Sequence, residues 1–242
     1  MIPRKIHYCW FGQTPLPLQA KRCLASWAYH LPDYELVRWD ESSFDPMRHH
    51  FTAAAYQTRY FAFVADYVRM LALRQQGGIY LDVDVEVLAS FDPLLQDDFF
   101  IGLENIKRFA TSIIGAKAEH WLPEQMLLFY DKTTFDSDDR KRLVNVNEVS
   151  RLLMAHGFSG NGGDEILGNE RVLAIGTLAK TRRGQAPTGI RPLSRHWYAA
   201  SWRKRGSKGP VSRIWKILRQ FPGQFSAYCA WKNYRIRKWL GF

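Results

Sequence analysis

Cysteine is scarce in this sequence. The three cysteines, Cys9, Cys23 and Cys229, form neither a C-x-x-C pair nor an even framework, which argues against a disulfide scaffold or structural zinc and favours a reducing compartment. The chain also lacks any uncharged apolar run long enough to span a bilayer, and its start, Met1-Ile2-Pro3-Arg4-Lys5-Ile6-His7, lacks the apolar stretch of a signal peptide. These absences predict a cytoplasmic protein, neither secreted nor membrane-spanning. Internal repeats and low-complexity tracts are missing too. Gly160-Asn161-Gly162-Gly163-Asp164 matches no phosphate-loop pattern and reads as a plain loop, and His49-His50 lacks metal-ligand spacing. The most uneven absence is negative charge. Residues 203–242 contain no Asp or Glu but hold Arg203, Lys204, Arg205, Lys208, Arg213, Lys216, Arg219, Lys232, Arg235, Arg237 and Lys238, so the net charge of +11 resides entirely there and residues 1–202 are balanced.

What is present fits one sizeable α/β domain over residues 1–202 with a basic extension over 203–242. The hydrophobic content of 46% is ordinary for a globular core. Lys5–Phe11 reads as a first strand, Leu18–Ala28 as a helix and Glu35–Trp39 as a second strand, the opening of a βαβ unit whose strand ends would place Trp10, Phe11 and Trp39 near a ligand mouth. Large aromatics are as readily core, so Trp10 has two readings of equal standing. The spacing then predicts one long helix from Thr52 to Gln76, stopped by Gly77-Gly78 as a C-cap. Within it Asp66 and Arg69 lie three apart on one face in an apolar setting. Further on, Phe99–Asn105, Thr111–Ala116 and Val172–Ile175 read as strands, and Pro123–Tyr130 and Val149–His156 as helices.

The centre of the chain is Gly77-Gly78-Ile79-Tyr80-Leu81-Asp82-Val83-Asp84-Val85-Glu86-Val87. Residues 79–88 are almost all β-formers and read as one buried strand, yet Asp82, Asp84 and Glu86 alternate along it at period two, on one face. Unpaired carboxylates are costly to bury, so acids on such a strand point to a cleft that holds a cation.

Ala65-Asp66-Tyr67-Val68-Arg69 followed by Gly77-Gly78-Ile79-Tyr80-Leu81-Asp82-Val83-Asp84 resembles the signature of the DxD sugar transferases of glycosyltransferase family 32. Residues 2–12 resemble that family's first strand, and His196-Trp197-Tyr198-Ala199-Ala200-Ser201-Trp202 its C-terminal His and Ser-Trp element, with Ala199-Ala200 where many relatives carry glycine. The resemblance implies a GT-A fold, a Rossmann-like sheet flanked by helices. It also implies a retaining, metal-dependent transfer of a hexose from a nucleotide sugar. The donors it favours are UDP-galactose, UDP-glucose or a UDP-N-acetylhexosamine, with GDP-mannose as a further candidate. Mn²⁺ or Mg²⁺ would sit on Asp84, Asp82 would reach the ribose, the donor sugar or the metal through a bound water, and His196 and Ser201 would complete the metal and diphosphate site. Asp66 and Arg69 would reach the donor, Trp10 would stack on the base, Tyr80 would help at the ribose and Trp202 would cover the site. Glu86 has no implied role and is expected to pair with a base.

In the extension, Ile214, Ile217, Leu218 and Phe221 recur at helical spacing among bases, followed by Phe225, Tyr228, Trp231, Trp239 and Leu240. A basic, tryptophan-rich amphipathic helix suits an anionic membrane surface. That predicts a peripheral protein on the inner face of the cell membrane, acting on a lipid-linked glycan in capsule, lipopolysaccharide O-antigen or other surface polysaccharide synthesis, with no nucleic-acid partner. The rival readings are a solvated helix packed on the body, a non-catalytic membrane or nucleic-acid binder, and a phosphatase with an Asp-x-Asp pair. The last usually carries its pair on the first strand, whereas here a βαβ unit precedes it.

Overall fold

A computed structural model describes residues 1–178, 189 and 191–198. The α/β class is as expected. Five helices are described, α1 (Leu18–His30), α2 (His50–Gln57), α3 (Phe61–Gln76), α4 (Trp121–Asp131) and α5 (Asn145–His156). The strands are β1 (Lys5–Cys9), β2 (Glu35–Trp39), β3 (Gly78–Leu81), β4 (Val85–Val87), β5 (Phe99–Asn105), β6 (Arg108–Ala116), β7 (Glu165–Leu167), β8 (Glu170–Leu173) and β9 (Ser194–His196).

Seven strands form one sheet in the order β2-β1-β3-β6-β5-β8-β7. The β2–β1, β1–β3 and β5–β8 ladders are parallel, while β3–β6, β5–β6 and β7–β8 are antiparallel. β4 leaves this sheet and pairs antiparallel with β9. One sheet face packs Phe63, Val64 and Val68 of α3 and Met126 of α4 over Tyr80, Phe99 and Ile114. The other carries Cys23 and Trp27 of α1 over Ile6, Ile79, Leu81 and Ile113. Because side chains alternate along β3, Ile79 and Leu81 face α1 and Tyr80 faces α3.

Two stretches differ from the sequence reading. The helix expected over 52–76 is two helices, parted at Thr58–Tyr60, where Arg59 adopts φ 62°. Thr58 Oγ1 donates to the Ala54 carbonyl (2.7 Å) and Tyr60 N–H to that of Ala55 (2.8 Å), so the first helix closes without glycine or proline. The strand expected over 79–88 is also broken. Asp82-Val83-Asp84 forms a turn in which Val85 N–H donates to the Asp82 carbonyl (2.9 Å), so Asp82, Asp84 and Glu86 do not share one strand face. Gly77, by contrast, caps α3 as expected, with φ 61° and its N–H on the Leu73 carbonyl (3.0 Å).

No helix among the described residues is long and apolar enough to cross a membrane.

Candidate active site

Asp82 follows β3 and receives its backbone support from β6, whose Ser112 carbonyl accepts the Asp82 N–H (2.9 Å). This bond continues the antiparallel β3–β6 ladder one position past Leu81 and Ile113. On its other edge β6 bulges. Ile114 pairs with Ile101 and Ala110 with Gly102, which leaves Thr111, Ser112 and Ile113 without β5 partners. The neighbouring Thr111 carbonyl accepts from Arg69 Nη1 (2.6 Å). Arg69 rises from α3 over the Tyr80 ring, 4.5 Å from its centroid, and sets Nη2 between Asp66 Oδ1 (2.8 Å) and Asp82 Oδ1 (3.1 Å). The three-residue spacing of Asp66 and Arg69 thus makes the intrahelical pair that helical geometry allows, and the guanidinium extends it to the DxD turn.

Asp84 ends the turn on the opposite side. Its Oδ1 lies 3.2 Å from His196 Nε2, and its carbonyl accepts the Trp197 N–H (3.0 Å). His196 arrives there because β9 pairs with β4, placing Val85 opposite His196, Glu86 opposite Arg195 and Val87 opposite Ser194. β4 is pinned from below by α1, where Trp27 Nε1 donates to the Val85 carbonyl (2.7 Å) and Ser26 Oγ accepts the Val87 N–H (3.0 Å). Glu86 pairs with Arg195 (3.4 Å), the base that the sequence reading expected for it.

One donor atom each from Asp82, Asp84 and His196 lies within 4.8 Å of the other two. Two carboxylates and an imidazole form a donor set able to hold a divalent cation. The electrostatics agree: burial pushes the Asp66 carboxyl up to about 7, against the pull of Arg69 and with the charge of Asp82 adding to the rise. Asp82 is likewise raised by burial, partly offset by Arg69. For His196 burial acts downward, but the hydrogen bond to Asp84 and the charges of Asp84, Asp82 and Glu104 carry it above its usual value. Burial is the largest cause in each case, and the charge of Asp84 adds to the rise at Asp82, so a cation held between these two carboxylates would favour their charged forms.

The other expected site residues fall out unevenly. Tyr80 is 1% exposed, with the Arg69 guanidinium over its ring. Arg69, 5% exposed, is turned onto protein acceptors at Nη1 and Nη2, where it bridges two carboxylates. Trp10 follows β1 and is half-buried, its backbone N–H on the Trp39 carbonyl (2.9 Å) and its indole N–H on the Thr14 carbonyl (2.5 Å). Phe11 and Trp39, expected at the mouth, are buried. Ser201 and Trp202 lie outside the described residues. A cavity of about 340 Å³ is lined by Trp39, Phe44, Arg48, His49 and Tyr67, among others; Trp39 is the one residue expected at the mouth that lines it, and Asp66, Arg69, Asp82, Asp84 and His196 do not.

One site residue escaped the sequence reading. Asn145, the first residue of α5, donates from Nδ2 to Asp66 Oδ1 (2.9 Å) and accepts from Thr111 Oγ1 at Oδ1 (3.0 Å). A single asparagine at a helix start reads as a cap, and only the packing of α5 against β6 reveals its other partner.

Residues 17–101 match the family model described as "Glycosyltransferase sugar-binding region containing DXD motif", and Asp82-Val83-Asp84 is the D-x-D within that span. The chain therefore carries a sugar-binding region of the DXD glycosyltransferase type. Among curated proteins it is 32% identical over 127 residues to inositol phosphoceramide mannosyltransferase 3 of Schizosaccharomyces pombe, covering 49% of this chain and 34% of that one. It is 46% identical over 46 residues to glucan organizing enzyme 1 of Cryptococcus neoformans var. grubii, covering 19% of this chain and 13% of that one. The chain thus spans about a third or less of these relatives. Among solved structures, the PaToxG glycosyltransferase aligns over 64% of this chain and 69% of its own at 16% identity and a TM-score of 0.46. The galactosyltransferase LgtC, solved with donor and acceptor sugar analogs, aligns over 88% and 94% at 13% identity and a TM-score of 0.39.

Proposed function

We propose that the protein is a retaining, metal-dependent glycosyltransferase that moves a hexose from a nucleotide sugar to a glycan acceptor. The observation that carries this reading is the convergence of Asp82, Asp84 and His196 within 4.8 Å, beside the Asp66–Arg69 pair, inside a stretch that matches a DXD sugar-binding region. Asp84 and His196, with Asp82 at the turn, would hold Mn²⁺ or Mg²⁺, which when bound neutralises charge on the departing diphosphate. Asp66 accepts hydrogen bonds from donor hydroxyls, Arg69 holds Asp66 and Asp82 at fixed separation, and Trp10 stacks on the base. Ser201 and Trp202 would complete and cover the diphosphate site.

In the transfer, the acceptor oxygen bonds to the anomeric carbon as the bond from that carbon to the phosphate oxygen breaks, and the acceptor's proton passes to the departing phosphate. Retention by this front-face route fits the engagement of all three site carboxylates: Asp66 and Asp82 are held by Arg69, and Asp84 by His196. Each is thus charge-paired, and none is assigned the nucleophile's part in the two-carboxylate route. A product of inverted anomeric configuration by NMR would refute it.

The favoured donors are UDP-galactose, UDP-glucose and UDP-N-acetylhexosamines. GDP-mannose stays among them because one relative is named a mannosyltransferase. That relative's name also specifies a ceramide, which supports a lipid-borne acceptor. Together with the basic, aromatic residues 203–242, this favours a peripheral position on the cytoplasmic face of a membrane and a role in surface polysaccharide synthesis. Incubation with a panel of nucleotide sugars and Mn²⁺ should release nucleoside diphosphate, and Asp84→Asn should abolish the release. Absence of both turnover and donor binding across the panel would sink the proposal.

A further inference from the structure

We propose that Asn145 is a positioning residue of the donor site, orienting Asp66 so that one carboxylate oxygen is held by the protein and the other is left for a donor hydroxyl. The proposal rests on the reading of Asp66 as a sugar-hydroxyl acceptor given above.

The geometry fixes the orientation of the Asn145 amide. Thr111 has one hydroxyl proton and contacts Asn145 Oδ1 at 3.0 Å, while Asn145 Nδ2 contacts Asp66 Oδ1 at 2.9 Å. Flipping the amide would set its carbonyl against the Asp66 carboxylate, two acceptors facing each other, so the hydroxyl of Thr111 in effect aims an N–H at Asp66. Asp66 Oδ1 thereby receives both Asn145 Nδ2 and Arg69 Nη2 (2.8 Å). Among the described residues no hydrogen bond engages Asp66 Oδ2, and the side chain keeps 15% exposure. That oxygen is the one a ligand hydroxyl can reach.

The arrangement is also more than α5 needs for itself. The residue at the N-cap of α5 is Val144, which offers no side-chain cap, while the asparagine one position later turns inward and is 4% exposed. Helix stability alone would favour the reverse order. α5 is meanwhile tied down against β6 by Ser150 Oγ, which accepts the Phe109 N–H (3.1 Å), and by Asn147, whose Oδ1 accepts from Arg108 (3.2 Å). The same β6 bulge that presents the Thr111 carbonyl to Arg69 presents the Thr111 hydroxyl to Asn145. One irregularity in one strand therefore orients both partners of Asp66.

The test separates sugar recognition from nucleotide recognition. Calorimetric titration with Mn²⁺ would compare UDP with UDP-galactose, UDP-glucose and UDP-N-acetylglucosamine, and GDP with GDP-mannose. The proteins would be the full wild-type chain, Asn145→Ala, and Thr111→Val, which keeps the volume but removes the hydroxyl. In both variants the nucleotide-sugar Kd should rise about tenfold or more, the loss expected for a hydrogen bond to a charged group. The nucleoside-diphosphate Kd should stay within about twofold, a split that general loosening of the fold would not produce. Thr111→Ser, which restores the hydroxyl, should restore nucleotide-sugar affinity. Parallel weakening of both ligands, or of neither, overturns the role given to Asn145 while leaving the donor site standing. Wild type that binds no member of the panel overturns the donor site itself, and this proposal with it. If Asn145→Ala does not fold, Thr111→Val decides alone, and failure of both to fold assigns the pair to structure and refutes the proposal.

Discussion

Three acids lie two residues apart in this chain, and the structure gives them different work. Asp82 is shared with Arg69 and Asp84 with His196, whereas Glu86 pairs across the β4–β9 ladder with Arg195, about a third exposed on both sides. Asp84→Asn should weaken Mn²⁺ affinity by more than the roughly 10–100-fold that follows loss of a group merely supporting a metal ligand, while Glu86→Gln should leave it unchanged and alter stability by under about 1 kcal/mol. Mn²⁺ titration followed by electron paramagnetic resonance would check the contrast, and equal losses would show that acidity, not position, matters. His7 offers a second residue-scale expectation. Its Nδ1 accepts the Trp39 indole N–H (3.1 Å), so its Nε2–H donates to the Gly77 carbonyl (2.8 Å), and the buried ring is neutral. Burial lowers its pKa below 6.5, outweighing the Gly77 hydrogen bond. Below that pH the unfolded chain takes up a proton that the folded one refuses, so the stability due to neutral His7 is complete above pH 6.5 and is lost as pH falls through the depressed value. The advantage of wild type over His7→Gln in urea unfolding should therefore shrink from pH 7.5 toward pH 5, by at most about 1.4 kcal/mol for each step of one in pH. A gap that stays constant with pH would mean the ring keeps its ordinary pKa.

At the scale of elements, the site depends on how α3 is joined to β3. Gly77 and Gly78 make that join at φ 61° and 106°, and a Cβ at Gly77 would lie 2.6 Å from the Ala118 backbone nitrogen. Backbone cannot swing away as a side chain can, so Gly77→Ala should cost about 1–3 kcal/mol in urea unfolding and should weaken donor binding by displacing Arg69 relative to Asp82. Unchanged stability would show that the turn relaxes freely. This join was legible in the sequence because a double glycine after a glycine-free and proline-free helical pattern is a local signal. So were the strands β1, β2 and β5 and the pairing of Asp66 with Arg69, which needs only helical spacing. The break at Thr58–Tyr60 was not, since a threonine bonding back to Ala54 resembles any helical threonine until the chain has turned. Nor was the departure of β4 from β3, which is decided by a partner strand more than a hundred residues away. Asn145 was hidden for the same reason: its meaning lies in α5 meeting the bulge of β6, and bulges have no periodic signature.

On the scale of the whole molecule, the uneven charge of the sequence bears on where the protein would work. Residues 1–202 are balanced, and the eleven bases of 203–242 meet no acid within that segment. Each base near an anionic leaflet contributes about 1 kcal/mol, and the interspersed Trp215, Trp231, Trp239 and Phe225 suit the depth at which headgroups meet acyl chains. Such an attraction is screened by salt, whereas aromatic insertion is not, so the two parts can be told apart. The full chain should float with phosphatidylglycerol-containing vesicles at low salt and much less with phosphatidylcholine vesicles, and raising the salt should release a large share of it. Replacing Arg213, Lys216 and Arg219 by glutamate should remove three attractions and add three repulsions, abolishing flotation while nucleotide-sugar turnover on a soluble acceptor persists. A chain ending at Trp202 should not float. If it binds the vesicles as well as the full chain does, the basic segment is not the membrane contact. If the triple glutamate variant floats normally, the attraction is not electrostatic. Loss of soluble turnover in that variant would instead place these bases in the working of the site, making residues 203–242 part of the catalytic unit.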